Sequence, residues 1–107
     1  MKRPRPGQAV RGSRSGRPIM ALLDLLGRRW ALRVVWELRD GPLGFRALQA
    51  ACAGIAPASL SLRLDELAEA GIVTNGPDGW GLSDEGRRLF AALEPLQTWA
   101  DRWARRS

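Results

Sequence analysis

The sequence contains no histidine and a single cysteine, Cys52. Without histidine there is no Ser/His/Asp set, no Cys/His pair and no imidazole to ligate a metal. One thiol cannot close an intrachain disulfide, which fits a reducing compartment. No apolar run approaches the ~20 residues that a bilayer-spanning helix requires. The N-terminus is basic, but no apolar segment follows it, so no signal peptide is read there. The acids are scattered over helix surfaces and form no acid–base constellation of the kind catalysis needs. The expectation is a cytoplasmic protein that is not an enzyme, with no cofactor, no metal and no membrane partner.

An excess of charge of one sign is also missing from most of the chain. At 107 residues one domain with a small core is expected, and the net charge of +6 first suggests nucleic acid as a partner. Six of the seventeen basic residues (Lys2, Arg3, Arg5, Arg11, Arg14 and Arg17) fall within the first 18 residues, which hold no acid. The other eleven are matched by eleven Asp and Glu, so residues 19–107 are neutral as a unit. Residues 1–17, rich in Arg, Pro, Gly and Ser, are expected to form a disordered basic arm, and residues 18–107 the folded domain. Such an arm suits DNA phosphates or a minor groove. The plainer reading is a solvated tail, or an early start, because Met20 could also open a chain.

What is present is concentrated in residues 54–82. Pro57 suits a first helical turn. Leu60, Leu64 and Leu67 then recur at helical spacing, with Ser59, Ser61, Arg63, Glu66 and Glu69 off that stripe and facing outward. Ala56 stands at the N-cap position, where it cannot cap. Gly71 suits a left-handed helix end. Ile72 and Val73 start a strand, residues 75–79 read as a turn, and Trp80-Gly81-Leu82 returns. A helix bearing small polar residues, followed at once by a hairpin, is the layout of a winged helix-turn-helix: mainly α, with a small β-hairpin wing.

The flanking segments agree. Pro18 opens a helix that ends at Gly27 and carries Ile19, Leu22, Leu23, Leu25 and Leu26, apolar on more sides than one core can cover. Residues 28–39 form a second helix, stopped by Asp40-Gly41-Pro42. Leu43-Gly44 suits a brief strand against the wing. Residues 45–53 form a third helix, with Arg46 and Gln49 outward and Cys52 a buried apolar group rather than a sensor thiol. Ser83 caps a last helix running toward Arg105, in which Leu89, Leu93, Leu96, Ala100 and Trp103 are spaced as a coiled-coil seam, widened by Phe90 and Trp99. Pro95 interrupts it and should kink it. So long a stripe suits a two-fold dimer made by the first and last helices, through Leu22, Leu26, Leu93, Leu96, Trp99 and Trp103.

With these elements in place, the chain resembles the HxlR-type regulators, a branch of the MarR-like winged-helix transcription factors. The resemblance covers residues 17–103. It rests on Leu23-Asp24-Leu25-Leu26-Gly27-Arg28-Arg29-Trp30, Glu37-Leu38-Arg39-Asp40-Gly41-Pro42, Phe45 with Leu48, Gly54-Ile55-Ala56-Pro57, Leu60-Ser61 with Arg63-Leu64, Glu66-Leu67, Ala70-Gly71-Ile72-Val73 and Leu82-Ser83-Asp84-Glu85-Gly86-Arg87. It implies a homodimeric regulator that binds double-stranded DNA at a pseudo-palindromic operator, with helix 57–70 in the major groove. It also shows departures. The family often has cysteine before the proline of the first helix, where this chain has Arg17, so a redox or electrophile switch at that position is excluded. A basic residue is common after the recognition-helix proline, where this chain has Ala58. The wing is short, carries Asp78 and no arginine, and keeps the aromatic as Trp80. The family's helix proline lies earlier than Pro95.

The DNA contacts expected are Arg28, Arg29, Arg46, Ser59, Ser61 and Arg63 on the fold, with Arg14 and Arg17 from the arm replacing the short wing. Asp65, Glu66 and Glu69 oppose them. Trp30, Trp36, Trp99 and Trp103 are candidates to line a pocket for a small apolar effector, although filling the core is the plainer use. The alternative to a DNA-binding regulator is a winged-helix protein–protein interaction module, which a neutral fold and a weak wing would suit.

Overall fold

The computed structural model describes residues 17–106. The expected basic arm, Arg14 included, lies outside the described residues except for Arg17. The elements in chain order are α1 Pro18–Leu26, α2 Ala31–Glu37, α3 Phe45–Ala51, α4 Pro57–Glu69, β1 Val73–Gly76, β2 Gly79–Leu82, α5 Asp84–Leu93 and α6 Pro95–Arg106. The core gathers beneath α4, where Leu60, Leu64 and Leu67 meet Val34, Val35 and Leu38 of the second helical segment and Leu48 of α3. Ile72, Val73 and Leu82 close it from the wing side. Sequence pattern and burial agree here because a 4-3 spacing leaves one face of α4 nowhere to go but inward.

Several boundaries differ from the sequence reading. The second helix begins at Ala31, not at residue 28, because Trp30 takes a left-handed backbone with φ +77°. That conformation is uncommon for a bulky side chain. It turns the chain sharply out of α1 and leaves Arg28 and Arg29 in a corner rather than on a helix. The third helix stops at Ala51, with Cys52 as its cap. The hairpin is tighter than expected: Asn75 pairs with Trp80 and Gly76 with Gly79, so only Pro77 and Asp78 form the turn. Leu43 bridges Trp80 as the sequence suggested, through two backbone hydrogen bonds of 2.8 Å.

The last helix is two helices. Ser83 caps α5 by accepting a hydrogen bond from the Gly86 N–H at 2.9 Å, with Asp84 and Glu85 in the first turn. Gly86 itself is buried under the wing. A Cβ there would run into the Ile72 carbonyl oxygen, so the end of the core and the start of α5 touch only because this residue is glycine. The break falls at Glu94, and Pro95 starts α6 at the position where a missing N–H costs nothing. Leu89, Phe90 and Leu93 pack on the core, whereas α6 has no buried residue among the described residues.

Candidate nucleic-acid interface

α3, the turn at residues 52–56 and α4 form the helix-turn-helix. Ala56 precedes α4 in extended conformation without a side-chain cap, and Pro57 occupies its first turn. The core stripe fixes which side of α4 faces out. Ala58, Leu62, Asp65 and Glu69 lie opposite Leu60, Leu64 and Leu67, and all four are exposed. Ser61 flanks this ridge on one side and is also exposed. Ser59 flanks it on the other and is half-buried, not fully outward. Arg46 on α3 is exposed. Leu62, 46% exposed in the middle of α4, is not among the residues singled out from the sequence. Its position opposite the stripe is the signal that could have found it.

Glu66 does not face solvent as expected. It is 5% exposed, the only charged residue in the buried set among the described residues. Arg28, brought over by the corner before α2, donates Nη1 to its Oε2 at 2.5 Å, and Arg63 donates Nη1 to its Oε1 at 2.7 Å. Arg28 also reaches Asp24 at 3.1 Å, and Arg63 Nε donates to the Arg29 carbonyl at 2.7 Å. Two of the expected DNA contacts are therefore engaged in ion pairs with a third residue of the same surface. Arg29 is exposed, with its guanidinium 5.7 Å from the Trp30 ring centre. Arg17 is exposed at the start of α1, where its carbonyl accepts from the Met20 and Ala21 N–H groups. The wing tip, Asn75 to Asp78, is exposed and carries no cation.

The four tryptophans proposed for a pocket do not meet within one chain. Trp36 lies against Phe90 at 5.6 Å and lines an open apolar groove of about 340 Å³ with Leu32, Val35, Leu93 and Leu96. Trp30 packs against the core, and Trp99 and Trp103 stack on each other at 5.7 Å along α6. Of the residues expected at a dimer interface, Leu26 is buried inside the chain and Leu22 lines a cleft between α1 and α5. Leu96, Trp99 and Trp103 remain 57%, 50% and 59% exposed. Among the described residues no helix is long and apolar enough to cross a membrane.

This arrangement, a helix-turn-helix followed by a two-stranded wing, defines a winged helix-turn-helix protein. The model of the HxlR-like helix-turn-helix family matches residues 25–107, and the chain belongs to that family. It is 31% identical over 88 residues to the uncharacterized HTH-type transcriptional regulator YvaP of Bacillus subtilis, covering 76% of this chain and 82% of that protein. It is 34% identical over 95 residues to the uncharacterized HTH-type transcriptional regulator Rv3095 of Mycobacterium tuberculosis, covering 82% of this chain but only 60% of that relative. Among solved structures, the quinone-bound YodB of B. subtilis superposes with a TM-score of 0.72 at 31% identity, covering 78% of this chain and 96% of that one.

Proposed function

We propose that the chain acts as a homodimer on a pseudo-palindromic operator, with α4 of each protomer in the major groove. The observation that carries this reading is the outer face of α4. Between a short preceding helix and a wing, its first turns offer Ala58, Ser61 and Leu62 to base edges, with the carboxylates Asp65 and Glu69 further along the same ridge. Ser61 and Ser59 donate to phosphates or base edges, Arg46 and Arg29 to phosphates, and Arg14 and Arg17 extend the contact beyond the fold. Arg28 and Arg63 stand apart from this set because Glu66 holds them. The exposed apolar face of α6 supports a dimer, since three large side chains at helical spacing seldom remain in water. A small apolar effector would fit the groove beside Trp36 and Phe90.

The second reading, a protein–protein module, is favoured by the cation-free wing and by the neutrality of residues 19–107. A salt titration of binding to the DNA immediately upstream of the chain's own gene, against a scrambled duplex, separates the two. The regulator prefers the native duplex and loses affinity steeply as salt rises. Equal, weak binding to both duplexes leaves the protein–protein module.

A further inference from the structure

Four charged side chains from three parts of the fold meet beside α4: Asp24 of α1, Arg28 of the following corner, and Arg63 and Glu66 of α4. Both carboxylate oxygens of Glu66 are occupied, and the two arginine side chains are only 16% and 18% exposed. The group is neutral as a set. Without Glu66, Arg63 loses the carboxylate it pairs with and Arg28 keeps only Asp24, which leaves one net positive charge against the recognition helix. It would attract phosphate regardless of sequence, because non-specific affinity is almost entirely phosphate neutralisation. Specificity is a ratio of affinities: a cation beside α4 that seizes phosphate strengthens the non-specific complex, while in the specific complex it draws α4 toward the backbone and away from the base edges, so the ratio falls. The chain already carries six basic residues before residue 18 to supply that neutralisation.

Resting on the regulator reading above, we propose that Glu66 is a specificity-determining positioning residue: it withdraws Arg28 and Arg63 from the DNA backbone and ties α4 to the corner after α1, so that α4 reads base edges through Ser61 and Leu62. Asp24 anchors the far end of the same chain of contacts in α1. The angle of α4 is therefore set against the helix expected at the dimer axis.

The test uses the full chain, the upstream duplex and a scrambled duplex, with melting temperature measured alongside. In Glu66→Gln, affinity for the scrambled duplex rises about tenfold at 0.1 M salt, the salt slope steepens by about one, and the preference for the upstream duplex falls by a similar factor. A merely structural role lowers both affinities together with the melting temperature and leaves the slope unsteepened, which overturns the proposal. Arg63→Gln decides independently should Glu66→Gln not fold. Its salt slope stays at the wild-type value if Glu66 holds Arg63, and flattens by about one if Arg63 already contacts DNA, which also overturns the proposal. A wild-type chain without preference for the upstream duplex sinks the regulator reading, while the slopes on scrambled DNA still decide the role of Glu66.

Discussion

Cys52 sits at the end of α3 with no exposed surface, and burial pushes its thiol pKa up. The Glu37 carboxylate adds to the shift and Arg33 partly opposes it. A thiol raised on folding contributes its full stability below the unfolded value of about 8.5 and loses it as pH climbs through the folded value. The composition makes this measurable, for there is no histidine, no tyrosine and one lysine, Lys2. Above about pH 8.5, Cys52 is then nearly the only group of the folded domain left to titrate before the arginines. Urea unfolding should show stability declining over that range in the wild type and staying flat in Cys52→Ala; a parallel decline in both would remove Cys52 as the cause. The native thiol should also react slowly with alkylating reagents, since the thiolate is the nucleophile. Leu62 makes the other residue-scale claim. If it meets thymine methyl groups in the groove, Leu62→Ala costs roughly 1 kcal/mol of operator affinity. Replacing the operator thymines by uracil should then weaken the wild type and leave Leu62→Ala indifferent.

At the scale of elements, α4 is legible in the sequence because its burial is local, a stripe that any three leucines at 4-3 spacing announce. Ser83, Gly71 with its φ of +82° and Pro95 are legible for the same reason, each acting on its own turn of chain. Glu66 is not legible. Its direction from the helix axis reads as solvent-facing, and what covers it is Arg28, 38 residues away in sequence. The corner at residues 27–30 escapes sequence reading because its left-handed residue is a tryptophan, which no turn rule anticipates. The wing is tighter than its composition suggests, because Asn75 and Gly76, both common turn residues, pair across the hairpin instead. α6 shows the converse, a stripe plainly written in the sequence whose Leu96, Trp99 and Trp103 stay half exposed or more among the described residues. Trp99→Ser with Trp103→Ser should accordingly leave the far-ultraviolet helical signal nearly intact, since neither residue is buried. It should shift sedimentation from twice the chain mass to once. A double variant that stays dimeric would move the interface off α6.

At the scale of the whole molecule, the question is where the affinity for DNA comes from. Residues 19–107 are neutral, the wing has no cation, and two arginines beside α4 are paired. A fold without net positive charge can discriminate between sequences but has little phosphate neutralisation with which to stay bound. In the proposed reading the six basic residues before residue 18 would supply that neutralisation, and a dimer would bring two such segments. This division of labour has a definite signature. Deleting residues 2–17 should weaken binding to upstream and scrambled duplexes by similar factors, and flatten the salt slope by about 0.9 for each phosphate that is no longer neutralised. The ratio between the two duplexes should change little if, as proposed, it is set on the other surface by Ser61, Leu62 and the grip of Glu66 on its two arginines. A collapse of that ratio would put sequence reading in the arm, through the minor groove, and an unchanged salt slope would remove the arm from DNA altogether.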